Sequence, residues 1–236
     1  MNLFNGIKTI FLLTVFAYVA PNLFEKIKKD YTPLVELRTN IGVITIDGPI
    51  ETSYQLAEEL HIFFKNPLIK AVIIKINCSQ SPIGTSQTIF HEIRQLKKDY
   101  PKPIITLVEN SCTGGAYLIA SACDYIIAPE SSIIAGIGKF TQNNTAELSE
   151  EEKTSLHIRQ ADIYQQITKQ IATARKLSLT TVANWAEEKT FTGNQAVSLG
   201  LINEVGSLCT VIKVIKEKAL IDNEIEWVKS KNAKSY

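Results

Sequence analysis

"NSCTGGAYLIASACDYIIA", residues 110–128, decides how this chain folds. A β-branched run, "IITLV" at 104–108, leads into it, and small residues then open an apolar helical stretch over 116–122. "YIIA" at 125–128 follows as a second, shorter strand. Strand, glycine turn, helix and strand in quick succession are the signature of a parallel α/β sheet. Such a turn also exposes the side chain at its tip beside backbone N–H groups that can hold an oxyanion. Ser111, Cys112 and Thr113 bring hydroxyls and a thiol to it, and Gly114-Gly115 lets the backbone approach closely.

The same rhythm extends outward. "LRTNIGVITIDGPI" (37–50) is a β-rich run closed by Gly48-Pro49, and "KAVIIKIN" (70–77) suits a strand buried on both faces. Between and after them, Leu56, Leu60, Phe63 and Phe64, then Ile89, Phe90, Ile93 and Leu96, mark helices over 52–64 and 86–96. The second half is more helical. Ser149 with Glu152 forms a capping box ahead of an apolar stripe at Leu156, Ile163, Tyr164, Ile167 and Ile171. Ser178 caps the next helix, Thr192 with Gln195 forms a second box, and Gly200 closes that helix. Residues 36–208 form one α/β domain with parallel strands and flanking helices.

Composition removes several function classes. The 236 residues are 45% hydrophobic and 21% charged with a formal net charge of +1, and no basic stripe with interleaved aromatics speaks for nucleic acid. Cys78, Cys112, Cys123 and Cys209 form no C-x-x-C pair and have no histidine at ligand spacing, so buried free thiols are expected rather than a metal site. His61, His91 and His157 lack acidic partners at triad spacing. "GIGKF" (136–140) is too short for a phosphate loop, and no cofactor signature stands out. Asp124, after the turn helix, is expected in a local turn role.

At the N-terminus, "IFLLTVFAYVA" (10–20) is followed by Pro21 and then "EKIKK". The apolar run is short against the roughly 20 residues of a span. Pro21 directly after Ala20 is awkward for signal-peptide cleavage. Residues 1–30 are therefore expected to be an uncleaved membrane anchor, with an interfacial helix as the alternative, ahead of a folded domain over 31–236.

Five segments in order, "IGVITIDGPI", "KAVIIKIN", "TIFHEIRQLKKDYPKPIITLVEN", "GGAYLIASACDYIIAPESSIIAGIG" and "TFTGNQAVSLGLINEVGSL", resemble the signal peptide peptidase A (protease IV) family and its SohB relatives. The resemblance covers residues 37–208. It implies a ClpP/crotonase-like fold, a membrane-anchored and oligomeric peptidase, and peptide or signal-peptide-like substrates. It also implies a domain on the periplasmic side of a bacterial inner membrane, although the lysines flanking the apolar run leave the side open. The family mechanism uses a serine nucleophile, a lysine base with a lowered pKa, and an oxyanion hole built from glycine turns.

Each of those parts departs here. The gapless match of the family's S-G-G/A-Y-Y-I-A-S-A-A-D turn onto 114–124 sets the nucleophile on Gly114, which has no side chain to attack with. Thr113 and Ser111 are displaced substitutes, and for Thr113 local backbone hydrogen bonding is the favoured role. The family's S-P-G-G oxyanion loop is replaced by "CSQSPIG", leaving Gly115 and, three positions late, Gly84 as the glycines available. The segment that delivers the lysine is missing between "AGIGKF" and Ser149, so Lys139 is the nearest basic candidate, with a solvated loop lysine as its bland reading. The expectation is a catalytically impaired or inactive homologue that binds peptides, self-assembles or co-assembles with an active relative. The competing expectation is a working serine/threonine–lysine endopeptidase. A thioester-binding crotonase role is weaker, since no basic cluster suits an acyl-CoA phosphate.

Overall fold

The computed structural model describes residues 38–138 and 148–229, together with helical positions 14, 16–21, 23 and 25–26 near the N-terminus. The chain divides into two compact units, Met1–Arg38 and Thr39–Tyr236. Much of the expected anchor lies outside the described residues. Where it is described, Phe16, Tyr18 and Leu23 are exposed. Among the described residues, no helix is long and apolar enough to cross a membrane.

The larger unit alternates strand and helix through its first half: β1 (Thr39–Asp47), α1 (Tyr54–Lys65), β2 (Ile69–Cys78), α2 (Ile83–Asp99), β3 (Ile104–Thr113), α3 (Gly115–Ser121), β4 (Tyr125–Ala128) and β5 (Ile133–Ala135). The second half holds α4 (Glu150–Arg175), a 3₁₀ turn (Leu179–Thr181), α5 (Val182–Trp185), β6 (Thr190–Phe191) and α6 (Gly193–Ser198). It ends with β7 (Glu204–Val205), α7 (Leu208–Ala219) and β8 (Ile225–Lys229). One sheet runs in the order β6-β5-β3-β2-β1-β8, with β4 pairing β3 and β7 pairing β4. Every pairing is parallel except β5 with β6.

The sheet is buried because both of its faces are covered. Ile44, Ile74 and Ile76 point toward Leu60, Phe64, Ile89 and Ile93 of α1 and α2, while Ile41, Ile73 and Ile105 meet Val211, Val214 and Ile215 of α7. This explains the near-continuous apolar reading of β2. Each such fully buried side chain contributes about 1.5–3 kcal/mol relative to exposure. At Gly42 the helix layer lies directly on the backbone, since a Cβ there would stand 2.8 Å from the Phe63 ring. The expected capping boxes at Ser149–Glu152 and Thr192–Gln195 are both present, and Ser178 caps the 3₁₀ turn.

Three expectations change. The strand expected to end at residue 108 continues to Thr113, because residues 111–113 pair with β5. Local periodicity does not reveal that distant pairing. Along β2, Ile76 faces Val108 and Cys78 faces Cys112, so β3 spends four positions where β2 spends two, and the excess bulges outward at exposed Glu109 and Asn110. Helix α2 begins at Ile83, not near residue 86. Beyond residue 208, α7 and β8 complete the sheet and its second face.

Candidate active-site turn and its facing loop

Gly114 is the whole of the connection between β3 and α3. Its φ of 58° and ψ of −125° form an abrupt elbow that L-residues rarely adopt. Its N–H donates to the Ala135 carbonyl (2.8 Å), which ties the elbow to the end of β5, and its carbonyl receives the Leu118 N–H (3.2 Å). A Cβ built on Gly114 meets nothing within 4 Å. Gly114 thus has the backbone shape of an elbow and open space where a side chain would stand.

Gly115 is different. A Cβ there would stand 2.6 Å from the Ser81 carbonyl oxygen and closer still to Ser86 Oγ. The loop of residues 79–82, which links β2 to α2, is pressed against the start of α3. Side-chain hydrogen bonds hold it at several points. Cys78 Sγ donates to the Gln80 carbonyl (3.2 Å), and Ser86 Oγ donates to the Pro82 carbonyl (2.8 Å). Ser81 Oγ accepts from the Ile50 N–H (2.8 Å), and the Thr113 hydroxyl donates to the Ser79 carbonyl. The Ser79 and Ser81 carbonyl oxygens of this loop turn toward the elbow, acceptors that repel an oxyanion rather than donors that stabilise one.

The other sequence-derived candidates fall as follows. Thr113 is a buried β3 residue whose proton is committed to Ser79. Ser111 is also buried, opposite Ile133 of β5. Gly84 lies in the first turn of α2, where its carbonyl accepts from Thr88 Oγ1 (3.1 Å), rather than in the loop. Lys139 lies outside the described residues. Burial raises the thiol pKa of Cys78, sends that of Cys112 well above its usual range and pushes that of Cys123 up to about 12. All three are poor nucleophiles at neutral pH.

Asp124 anchors the end of the turn region. It accepts from the Ile104 N–H (2.9 Å) and pairs with Lys97 (2.5 Å), a local structural role. His61 pairs with Glu92 across α1 and α2 at 2.9 Å, a partner 31 positions away that no sequence spacing suggests. The contributions of Ser81 and Ser86 were equally invisible in sequence, because a serine near a loop carries no mark of the main-chain atom it will meet.

The sequence profile of peptidase family S49 matches residues 96–148 and 139–222, more than half of the chain, and takes in the elbow, α4 and the α6–β7 segment. The chain belongs to peptidase family S49. It is 25% identical to the putative protease MJ0651 of Methanocaldococcus jannaschii, over 67% of this chain and 59% of that protein. It is 27% identical to protease 4 of Haemophilus influenzae, over 70% of this chain and 32% of the relative. It is 25% identical to the chloroplastic serine protease SPPA of Arabidopsis thaliana, over 78% and 32% respectively. The chain spans between about a third and three fifths of the length of these relatives.

Proposed function

We propose that this S49 chain is a catalytically impaired or inactive family member that works by binding peptides or by assembling with copies of itself or an active relative. The observation that carries this reading is the elbow. The residue at its tip is Gly114, and the hydroxyl of the preceding residue, Thr113, is buried and donates to a main-chain carbonyl. A nucleophile displaced by one residue is a severe handicap, since about 1 Å of misplacement can cost 100-fold in rate. The facing carbonyls add to it, because losing one oxyanion donor typically costs about 100- to 1,000-fold in turnover. Residues 31–236 form the peptidase-family domain of this reading. Residues 1–30 anchor it to a bacterial inner membrane, with the domain on the periplasmic side.

A second reading keeps a peptidase that cleaves signal-peptide-like substrates through Thr113 or Ser111 with Lys139. Family membership favours it, as do relatives that carry the name of protease. Incubating the detergent-solubilised full chain with a peptide library, followed by mass spectrometry, separates the two. The first reading predicts no cleavage above background, and binding of leucine- and alanine-rich peptides by fluorescence anisotropy. Cleavage lost in both a hydroxyl variant (Thr113→Ala or Ser111→Ala) and Lys139→Ala establishes the second.

A further inference from the structure

We propose that Cys78 and Cys112 are a modification site, at which a small-molecule disulfide oxidises the two thiols to a bond joining the end of β2 to the end of β3. The inference stands apart from the function proposed above and holds equally for an active or an inactive chain.

The sheet sets the two cysteines side by side. Cys78 is the last residue of β2 and Cys112 the next to last of β3, and they are register partners across the two strands although far apart in sequence. Partners in register point to the same face of a sheet, and both side chains lie in the same core cluster. Neighbouring strands run about 4.7–4.9 Å apart, inside the Cα separation of about 4.4–6.8 Å that a disulfide spans. The thiols are near enough to feel each other: after burial, Cys78 and then Cys123 raise the pKa of Cys112. The bulge at Glu109 and Asn110 interrupts the ladder just before Cys112, and an interrupted ladder resists the approach of one strand end to the other less than a regular one. The other two cysteines are placed differently. Cys123 follows α3 and turns its Sγ back to the Ile119 carbonyl of that helix (3.9 Å), and Cys209 is exposed on α7.

Cys78 reacts first. The residues after it, Ser79 and Gln80, are exposed, whereas Cys112 is fully buried and followed by buried Thr113. Cys78 itself is covered, so attack waits on local opening of the rim. Its thiol then loses its proton, and with it the bond to the Gln80 carbonyl, and the thiolate attacks one sulfur of the small disulfide. The other sulfur leaves as a thiolate. The Cys112 thiolate next attacks Cys78 Sγ in the mixed disulfide and expels the second small thiolate. One disulfide bond forms in the protein and one is broken in the reagent. Two protein thiols are oxidised, and the two reagent thiolates take up their protons. Raised pKa values keep the thiolate fraction low and the exchange slow, but the strand register decides which two sulfurs meet.

The test is exchange of the reduced full chain with excess oxidised glutathione. After an acid quench, the remaining thiols are alkylated in urea and the peptides are mapped without reduction. Exposed Cys209 takes up glutathione and shows that the reagent is active. The expected result is joint loss of the Cys78 and Cys112 thiols and a cross-linked pair of peptides carrying them, with Cys123 still alkylated and dithiothreitol restoring both thiols. In Cys112→Ala the second step has no thiol, so Cys78 should end as a glutathione adduct, while Cys123→Ala should keep the bridge. Should Cys112→Ala not fold, Cys112→Ser replaces it. Cys78 and Cys112 both alkylated while Cys209 is fully exchanged overturns the proposal. So does a bridge from Cys112 to Cys123, or one from Cys78 to Cys112 that forms only when the exchange itself is run in urea.

Discussion

Two strand-to-helix crossings meet face to face in this protein, and they are built on opposite principles. At the β3–α3 crossing the shape belongs to the backbone: one glycine with φ of 58° makes the whole turn, and no side chain is needed to hold it. At the β2–α2 crossing the shape belongs to side chains: four residues are pinned through Cys78, Ser81, Ser86 and Thr113. Backbone geometry of this kind depends on no side chain, because glycine adopts it without steric cost. A loop held by hydroxyls is redrawn whenever those residues change.

The adjacent glycines sharpen that contrast, since they are glycine for different reasons. Gly115→Ala should have the largest effect, about 1–3 kcal/mol of lost stability from forcing a methyl into the Ser81 and Ser86 contact, and a Tm lower by roughly 2–12 °C. Denaturant titration reads it directly. Gly114→Ala should cost about 1–2 kcal/mol, all of it from the positive φ, because the space around its Cβ is empty. If Gly114→Ala proved the more damaging of the two, the distinction between a conformational and a packing glycine would fail.

Ser81→Ala should cost about 1 kcal/mol by leaving the Ile50 N–H without its partner, and nuclear magnetic resonance should show the disturbance confined to the loop and the segment after β1. The smallest effect should be a gain. Glu188 has φ of 61° and donates its N–H to the carbonyl of Ile137, two residues beyond the β5 strand that backs the elbow. Glu188→Gly should raise stability by about 0.5 kcal/mol, the relief of strain being partly offset by the greater freedom of glycine in the unfolded chain. A loss instead would mean that the Glu188 side chain supports the elbow from behind.

The same division explains what could be read in advance. The alternation of strands and helices, the two capping boxes and the position of the elbow all rest on local chemistry: periodicity, a serine or threonine three residues before its partner, a glycine pair after a β-branched run. The extension of β3 to Thr113 and the addition of β8 rest on strand pairings between residues far apart in the chain. Tertiary contact decides those. At the site, the glycine elbow at Gly114 was legible, and so was a hydrogen-bonding role for Thr113. Its partner, the Ser79 carbonyl, was not, because the main chain offers an acceptor at every residue and sequence marks none of them.

The central claim is that no activated hydroxyl stands at the elbow, and fluorophosphonate labelling of the full chain, read by intact mass and peptide mapping, tests it most directly. An activated serine or threonine forms a covalent phosphonyl adduct; a hydroxyl donating to a carbonyl with no base to take its proton does not. Unmodified wild-type protein under conditions that fully label an active serine hydrolase is the predicted result. A stoichiometric adduct on Thr113 or Ser111 would contradict it and return the chain to the peptidases.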